Sequence, residues 1–78
     1  MTTLEQLQAI VRDYTGDDSL TITNETRLLI DAGLDSYDLA SLLGTVEERF
    51  DVDISNRVAA QMRTIGDLVM HIEQKPMR

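Results

Sequence analysis

The sequence predicts an all-α fold, a small helical bundle of three longer helices and one short helix, on three observations. Apolar residues recur at three- and four-residue spacing in three separate stretches. Each stretch begins behind a Thr or Asp of the kind that caps helix N-termini. No pair of alternating apolar runs around a tight turn signals a β-hairpin. With 78 residues and no cysteine, the chain is read as a single domain, residues 1–78. It is expected to bury roughly 60–65% of its unfolded surface, with neither disulfides nor thiolate metal ligands to reinforce it.

Thr3 stands before Leu4, Leu7, Ile10, Val11 and Tyr14, and Gln6 follows it by three residues as a capping box requires. The first helix is therefore expected from about Leu4 to Tyr14. Gly16, Asp17 and Asp18 read as a turn, and Ser19 to Thr26 keep neither a helical nor an alternating pattern. A long connection results, and in so small a domain such a loop is either functional or pinned to the body. Leu20, Ile22, Leu28, Leu29, Ile30 and Leu34 are its candidate anchors.

Asp35 then precedes Leu39, Leu42, Leu43, Val46 and Phe50, with Asp38 three residues after it. A second helix is expected from about Ser36 to Phe50, capped by Asp35 and favoured by two carboxylates at the positive end of its dipole. Ser55 caps a short turn through about Ala60. Thr64 and Asp67 open a last helix in which Ile65, Leu68, Val69 and Ile72 keep helical spacing until Pro76.

The chain holds 14 Asp and Glu against 7 Lys and Arg, a formal net charge of -7. That balance argues against nucleic acid, whose phosphates are neutralised by Lys and Arg, and points to partners with basic surfaces. Residues 25–53 hold eight acids and two bases, whereas residues 54–78 hold two acids and four bases. The acidity gathers around the second helix, as a solvated face or as a docking surface. The first fifteen residues show no secretory signal and no stretch reaches the length of a membrane span, so a cytoplasmic monomer is expected.

Catalytic constellations are nearly absent. His71 is the single imidazole, and its place near the end of the last helix suits a structural role at the negative end of the dipole. Asp31, Asp35 and Asp38, or Asp51 and Asp53, do not follow a calcium-loop pattern, so no metal site is expected. Isolated Gly16 and Gly33 make no phosphate loop. Ser36 stands apart: it is the first residue of the second helix, after a long loop and between Asp35 and Tyr37-Asp38. Such a serine is either a good helix-start residue or an exposed hydroxyl for a visiting enzyme.

The octet Asp31-Ala32-Gly33-Leu34-Asp35-Ser36-Tyr37-Asp38 resembles the attachment segment of acyl carrier proteins, usually Leu-Gly-x-Asp-Ser-Leu ahead of an acidic helix. The likeness continues through Val46-Glu47-Glu48-Arg49-Phe50, Asp51-Val52-Asp53-Ile54 and Thr64-Ile65-Gly66-Asp67-Leu68, covering essentially the whole chain. The resemblance implies that Ser36 receives a 4′-phosphopantetheine arm from coenzyme A, donated by a separate phosphopantetheinyl transferase. It implies a non-catalytic carrier of acyl or aminoacyl thioesters in fatty-acid, polyketide or a specialised pathway. Asp35 would help present the serine. Docking to a loading ligase or synthase with a basic surface is expected through Asp35, Tyr37, Asp38, Glu47 and Glu48.

Tyr37 replaces the usual Leu, and Ser41 and Gly44 replace the Glu and large apolar residue common in fatty-acid carriers. Asn56, Arg57 and Ala60 stand where the short helix usually has acids. These departures, with the little core a bundle of this size can spare for a long chain, favour a short or aminoacyl cargo and a dedicated partner. The rival reading is an unmodified acidic adaptor that binds a basic protein through its second helix. It accounts for the charge but not for Ser36 between two acids at that helix start.

Overall fold

The structure is a computed structural model that describes residues 1–74. Its helices are α1 (Thr3–Thr15), α2 (Ser36–Phe50), α3 (Asn56–Ala59) and α4 (Ile65–Glu73), with no strand among the described residues. α1 packs on both α2 and α4. Leu7, Val11, Leu42, Val46, Ile65 and Leu68 are almost wholly removed from water where these helices meet, and burial of such side chains is worth about 1.5–3 kcal/mol each. The expected stop at Pro76 lies outside the described residues.

The first helix starts one residue earlier than expected. Thr2, not Thr3, is the N-cap: its Oγ1 accepts from Glu5 N at 3.1 Å and Glu5 Oε1 accepts from Thr2 N at 2.9 Å. Gln6 instead sends its amide to Met1 O at 3.4 Å. Two adjacent threonines compete for the cap, and the charged partner wins because a carboxylate at a helix N-terminus gains from the dipole and from a charge-assisted bond. Gly16, at φ 74, ends α1 and donates to Arg12 O at 2.8 Å.

The long connection is stitched to the start of α4 by main-chain bonds. Leu28 N donates to Arg63 O, Ile65 N to Thr26 O and Gly66 N to Asn24 O, each at 2.9 Å. Gln8 and Arg12 of α1 hold the carbonyls of Ile22 and Leu20. Ile22, Leu28 and Leu34 are buried as expected and Leu20 half so, but Leu29 and Ile30 are 43% and 69% exposed. The turn explains this correction. Asp31 N and Ala32 N both donate to Arg27 O, giving a helix-like turn in which Leu28 and Ala32 share the inner side. Leu29 and Ile30 are thereby turned outward.

α2 ends on Asp51, which takes the left-handed conformation at φ 54, tolerated by Asp better than by most side chains. Ser55 Oγ accepts from Val58 N at 3.2 Å and starts α3. His71 Nε2 donates to Asp53 O at 2.9 Å, tying α4 to the segment behind α2.

The α4 start is a full capping box. Asp67 Oδ2 accepts from Arg63 N and Thr64 N at 3.0 and 3.1 Å, and Asp67 N donates to Thr64 Oγ1 at 3.2 Å. These amides, Arg63's first, hold the Asp67 carboxyl below its ordinary pKa. A carboxyl depressed on folding lends stability that is complete above its unfolded value, near 4, and fades as pH falls through the lower folded value. Thermal midpoints should therefore drop as pH is lowered below about 4. Asp67→Asn should start lower at neutral pH and show a shallower acid slope; an unchanged slope would remove Asp67 from the acid transition.

Candidate functional site

Ser36 is the first helical residue of α2 and is exposed. Around it two carboxylates are turned onto the main chain. Asp35 Oδ1 accepts from Asp38 N at 2.8 Å, and Asp38 Oδ2 accepts from Asp35 N at 3.4 Å. The two acids thus close a reciprocal cap around the serine, fixing the helix start rather than projecting charge freely. Gly33, at φ 73, gives the chain the left-handed turn that leads into Leu34 and Asp35.

Sequence reasoning missed a third member of this cluster. Tyr14 ends the apolar series of α1, yet its hydroxyl donates to Asp38 Oδ1 at 3.1 Å. The neighbouring Ser41 hydroxyl pulls the phenol's pKa down, but loss of solvent and the Asp38 carboxylate outweigh it and leave the value raised. The protonated phenol is therefore the form that holds Asp38. No local signal marks this bond, because it joins residues 24 positions apart.

The expected docking residues divide into two sets. At 3.6 residues per turn, Tyr37, Ser41, Gly44 and Glu48 form one stripe along α2. Tyr37 is 79% exposed, Ser41 and Glu48 are exposed, and Gly44 is partly so. A Cβ on Gly44 would meet nothing within 4 Å, so packing does not demand a glycine there. Asp38 and Glu47 lie at the two edges of this stripe. Glu47 is half-buried, and its Oε2 accepts from Ile54 N at 2.8 Å; it pins the segment after α2.

Beside α2 lies an apolar groove of about 500 Å³. Leu39, three residues beyond Ser36, forms one wall; Leu29 and Ile30 form another, and Ala59, Ala60 and Met62 close it, with Arg27 and Arg63 also lining it. The outward Leu29 and Ile30 thus have a place in the fold.

The chain matches the family described as the phosphopantetheine attachment site over residues 5–72. It belongs to the acyl carrier protein family. An acyl carrier protein of Chlamydia felis is 32% identical over 71 residues, 91% of each chain. One of Helicobacter pylori is 31% identical over 77 residues, 99% of each. The carrier's cofactor is covalently attached 4′-phosphopantetheine, on which acyl groups are borne between the enzymes that load and use them. Members of this family are carriers, not catalysts.

The helix start suits such a group. The amides of Ser36 and Tyr37 precede the helical ladder, whose first bond is Leu39 N to Asp35 O at 2.9 Å. A phosphodiester on the Ser36 hydroxyl would lie at the positive end of α2, where anionic phosphate is favoured. The flanking carboxylates are already engaged with the main chain and Tyr14. No described helix is long and apolar enough to cross a membrane.

Proposed function

We propose that residues 1–78 act as one cytoplasmic, monomeric carrier domain whose arm is placed on Ser36 by a separate phosphopantetheinyl transferase. The observation that carries this reading is an exposed serine at the first position of a reciprocally capped helix, in a chain of this family. The bound arm supplies a thiol that holds cargo as a thioester, in keeping with a chain that has no cysteine. Ser36 offers its hydroxyl oxygen to the transferase. Asp35 and Asp38 hold that residue at the helix start, and the α2 dipole favours the resulting anionic phosphodiester.

Loading and consuming enzymes dock on the Tyr37, Ser41, Gly44 and Glu48 stripe, flanked by Asp35, Asp38 and Glu47. Tyr37, Ser41 and Gly44 offer a large hydroxylated ring and a bare step instead of Leu, Glu and a bulky apolar residue. That stripe suits a dedicated ligase or synthase with a basic surface, and a short or aminoacyl cargo, over general fatty-acid synthesis.

Incubation with coenzyme A and a broad-specificity transferase should add one arm, read by intact mass. Exposed charge pairs contribute about 0.2–1 kcal/mol each, so Glu48→Lys should slow transfer two- to fivefold, with the difference shrinking in high salt and thermal stability unchanged. Glu47→Ala should instead cost stability, about 1.5 kcal/mol, by leaving Ile54 N without its acceptor. Equal transfer rates for the parent and Glu48→Lys at low ionic strength would remove this stripe from docking; a parent that never gains an arm would defeat the carrier role.

A further inference from the structure

The capping boxes that open α1, α2 and α4 are not equally closed. The return bond, from the N-cap amide to the acid three residues on, is 2.9 Å at Thr2 and Glu5, 3.1 Å at Thr64 and Asp67, and 3.4 Å at Asp35 and Asp38. Glutamate has the reach for this bond, whereas aspartate is one methylene shorter. A short acid gains from a second hold. At α4, Asp67 Oδ2 finds it in the adjoining Arg63 amide at 3.0 Å. At α2 it comes from another helix, because Asp38 Oδ1 accepts the Tyr14 hydroxyl of α1 at 3.1 Å.

Tyr14 is well placed to be that hold. α1 packs on α2, and Ile10 and Val11 just before Tyr14 are buried, so the phenol is carried by a rigid element. A hydroxyl donating to a carboxylate makes a charge-assisted bond. The bond does not use up the acid: an ionised carboxylate accepts at about four lone-pair sites, and Asp38 is only half-buried. Without the Tyr14 hydroxyl, the Asp38 carboxylate would keep the 3.4 Å bond to Asp35 N, which is long for an amide donor. The turn that carries Ser36 would then be held less firmly. An enzyme docking on a loosened turn has to order it, and that cost is taken from binding.

We propose that Tyr14 is a positioning residue for arm addition: through Asp38 it holds the first turn of α2 in the arrangement that the phosphopantetheinyl transferase binds. The proposal rests on Ser36 as the attachment position and adds a residue of α1 to the recognition of α2. The effect of Tyr14 on the serine passes through the Asp38 carboxylate, and the transfer chemistry itself is left to the enzyme.

The test follows initial rates of arm addition from coenzyme A by a broad-specificity phosphopantetheinyl transferase, read by intact mass. It compares the parent, Tyr14→Phe, Asp38→Ala, the two together, and Gln8→Ala, at varied carrier concentration and well below every thermal midpoint. Gln8 controls for lost stability, since its side chain donates to Ile22 O at 2.8 Å and ties α1 to the long connection rather than to α2. Tyr14→Phe should raise KM about two- to fivefold at unchanged kcat, the mark of lost binding rather than lost chemistry. Gln8→Ala should lower the midpoint and leave both constants at the parent's values. In the Asp38→Ala background, removing the Tyr14 hydroxyl should change nothing further, as for two groups joined in one interaction. A KM for Tyr14→Phe equal to the parent's would overturn the proposal, and so would a matching rise for Gln8→Ala, which would make the effect one of general stability. An undiminished Tyr14→Phe effect in Asp38→Ala would overturn it too, because the phenol would then be meeting the enzyme directly. A parent chain that gains no arm defeats the carrier reading at Ser36 and this proposal together; the other outcomes defeat this proposal alone.

Discussion

Ser36→Ala should abolish arm addition entirely while leaving the fold intact. The hydroxyl makes no hydrogen bond in the helix start: the cap is built by Asp35 Oδ1 on Asp38 N and Asp38 Oδ2 on Asp35 N, neither of which involves the serine side chain. Alanine is the best helix former at an exposed position, so thermal stability should stay within about 0.5 kcal/mol of the parent. The remaining serines have other employment or other surroundings. Ser19 donates to Asp17 at 2.6 Å, Ser55 caps α3, and Ser41 sits inside α2 rather than at its start. Intact mass after incubation with coenzyme A and transferase separates the cases. Any arm on Ser36→Ala would move the attachment position elsewhere. An acidic adaptor that works unmodified would keep its partner affinity in this variant, whereas a carrier would keep the encounter and lose the cargo.

What was legible in the sequence was what depends on neighbours along the chain. Asp35, Ser36 and Asp38 lie within four residues, so the α2 cap and the exposed hydroxyl follow from local spacing. The α1 start was misplaced by one residue because Thr2 and Thr3 are the same residue type, and only the charge on Glu5 against the neutral amide of Gln6 decides between them. The groove was not legible, since its apolar walls come from Leu29 and Ile30, from Leu39, and from Ala59, Ala60 and Met62. Leu29 and Ile30 look like anchors in a pattern of apolar letters. The turn held by Arg27 O sends them outward, and a main-chain bond of that kind leaves no mark in side-chain periodicity. Tyr14 on Asp38 and Glu47 on Ile54 N are likewise long-range bonds made by residues whose local roles, end of an apolar stripe and surface acid, were already filled.

Gly66→Ala should be the most damaging small substitution outside the helix-packing core, and its cause is the same stitching that builds the groove. A Cβ on Gly66 would stand 2.9 Å from Asn24 O and 3.4 Å from Asn24 Cβ. The first atom belongs to the main chain and cannot swing aside. Alanine in the first turn of α4 would on its own favour the helix by about 0.5–1 kcal/mol. Against that gain, the Asn24 carbonyl must retreat, lengthening its 2.9 Å bond from Gly66 N and pulling on the adjoining Ile65 N to Thr26 O bond. Overpacking of this kind costs about 1–3 kcal/mol, so the clash wins, and a net loss near 1 kcal/mol lowers the midpoint by about 4–8 °C in a domain of this size. Gly44→Ala is the matched contrast: nothing lies within 4 Å of its Cβ, and its midpoint should rise. Because residues 24–26 lead directly into Arg27 and Leu29, Gly66→Ala should also loosen the groove wall while leaving arm addition at Ser36 untouched. A midpoint for Gly66→Ala at or above the parent's would mean that the loop is free to withdraw from α4, and the groove would then have no fixed wall.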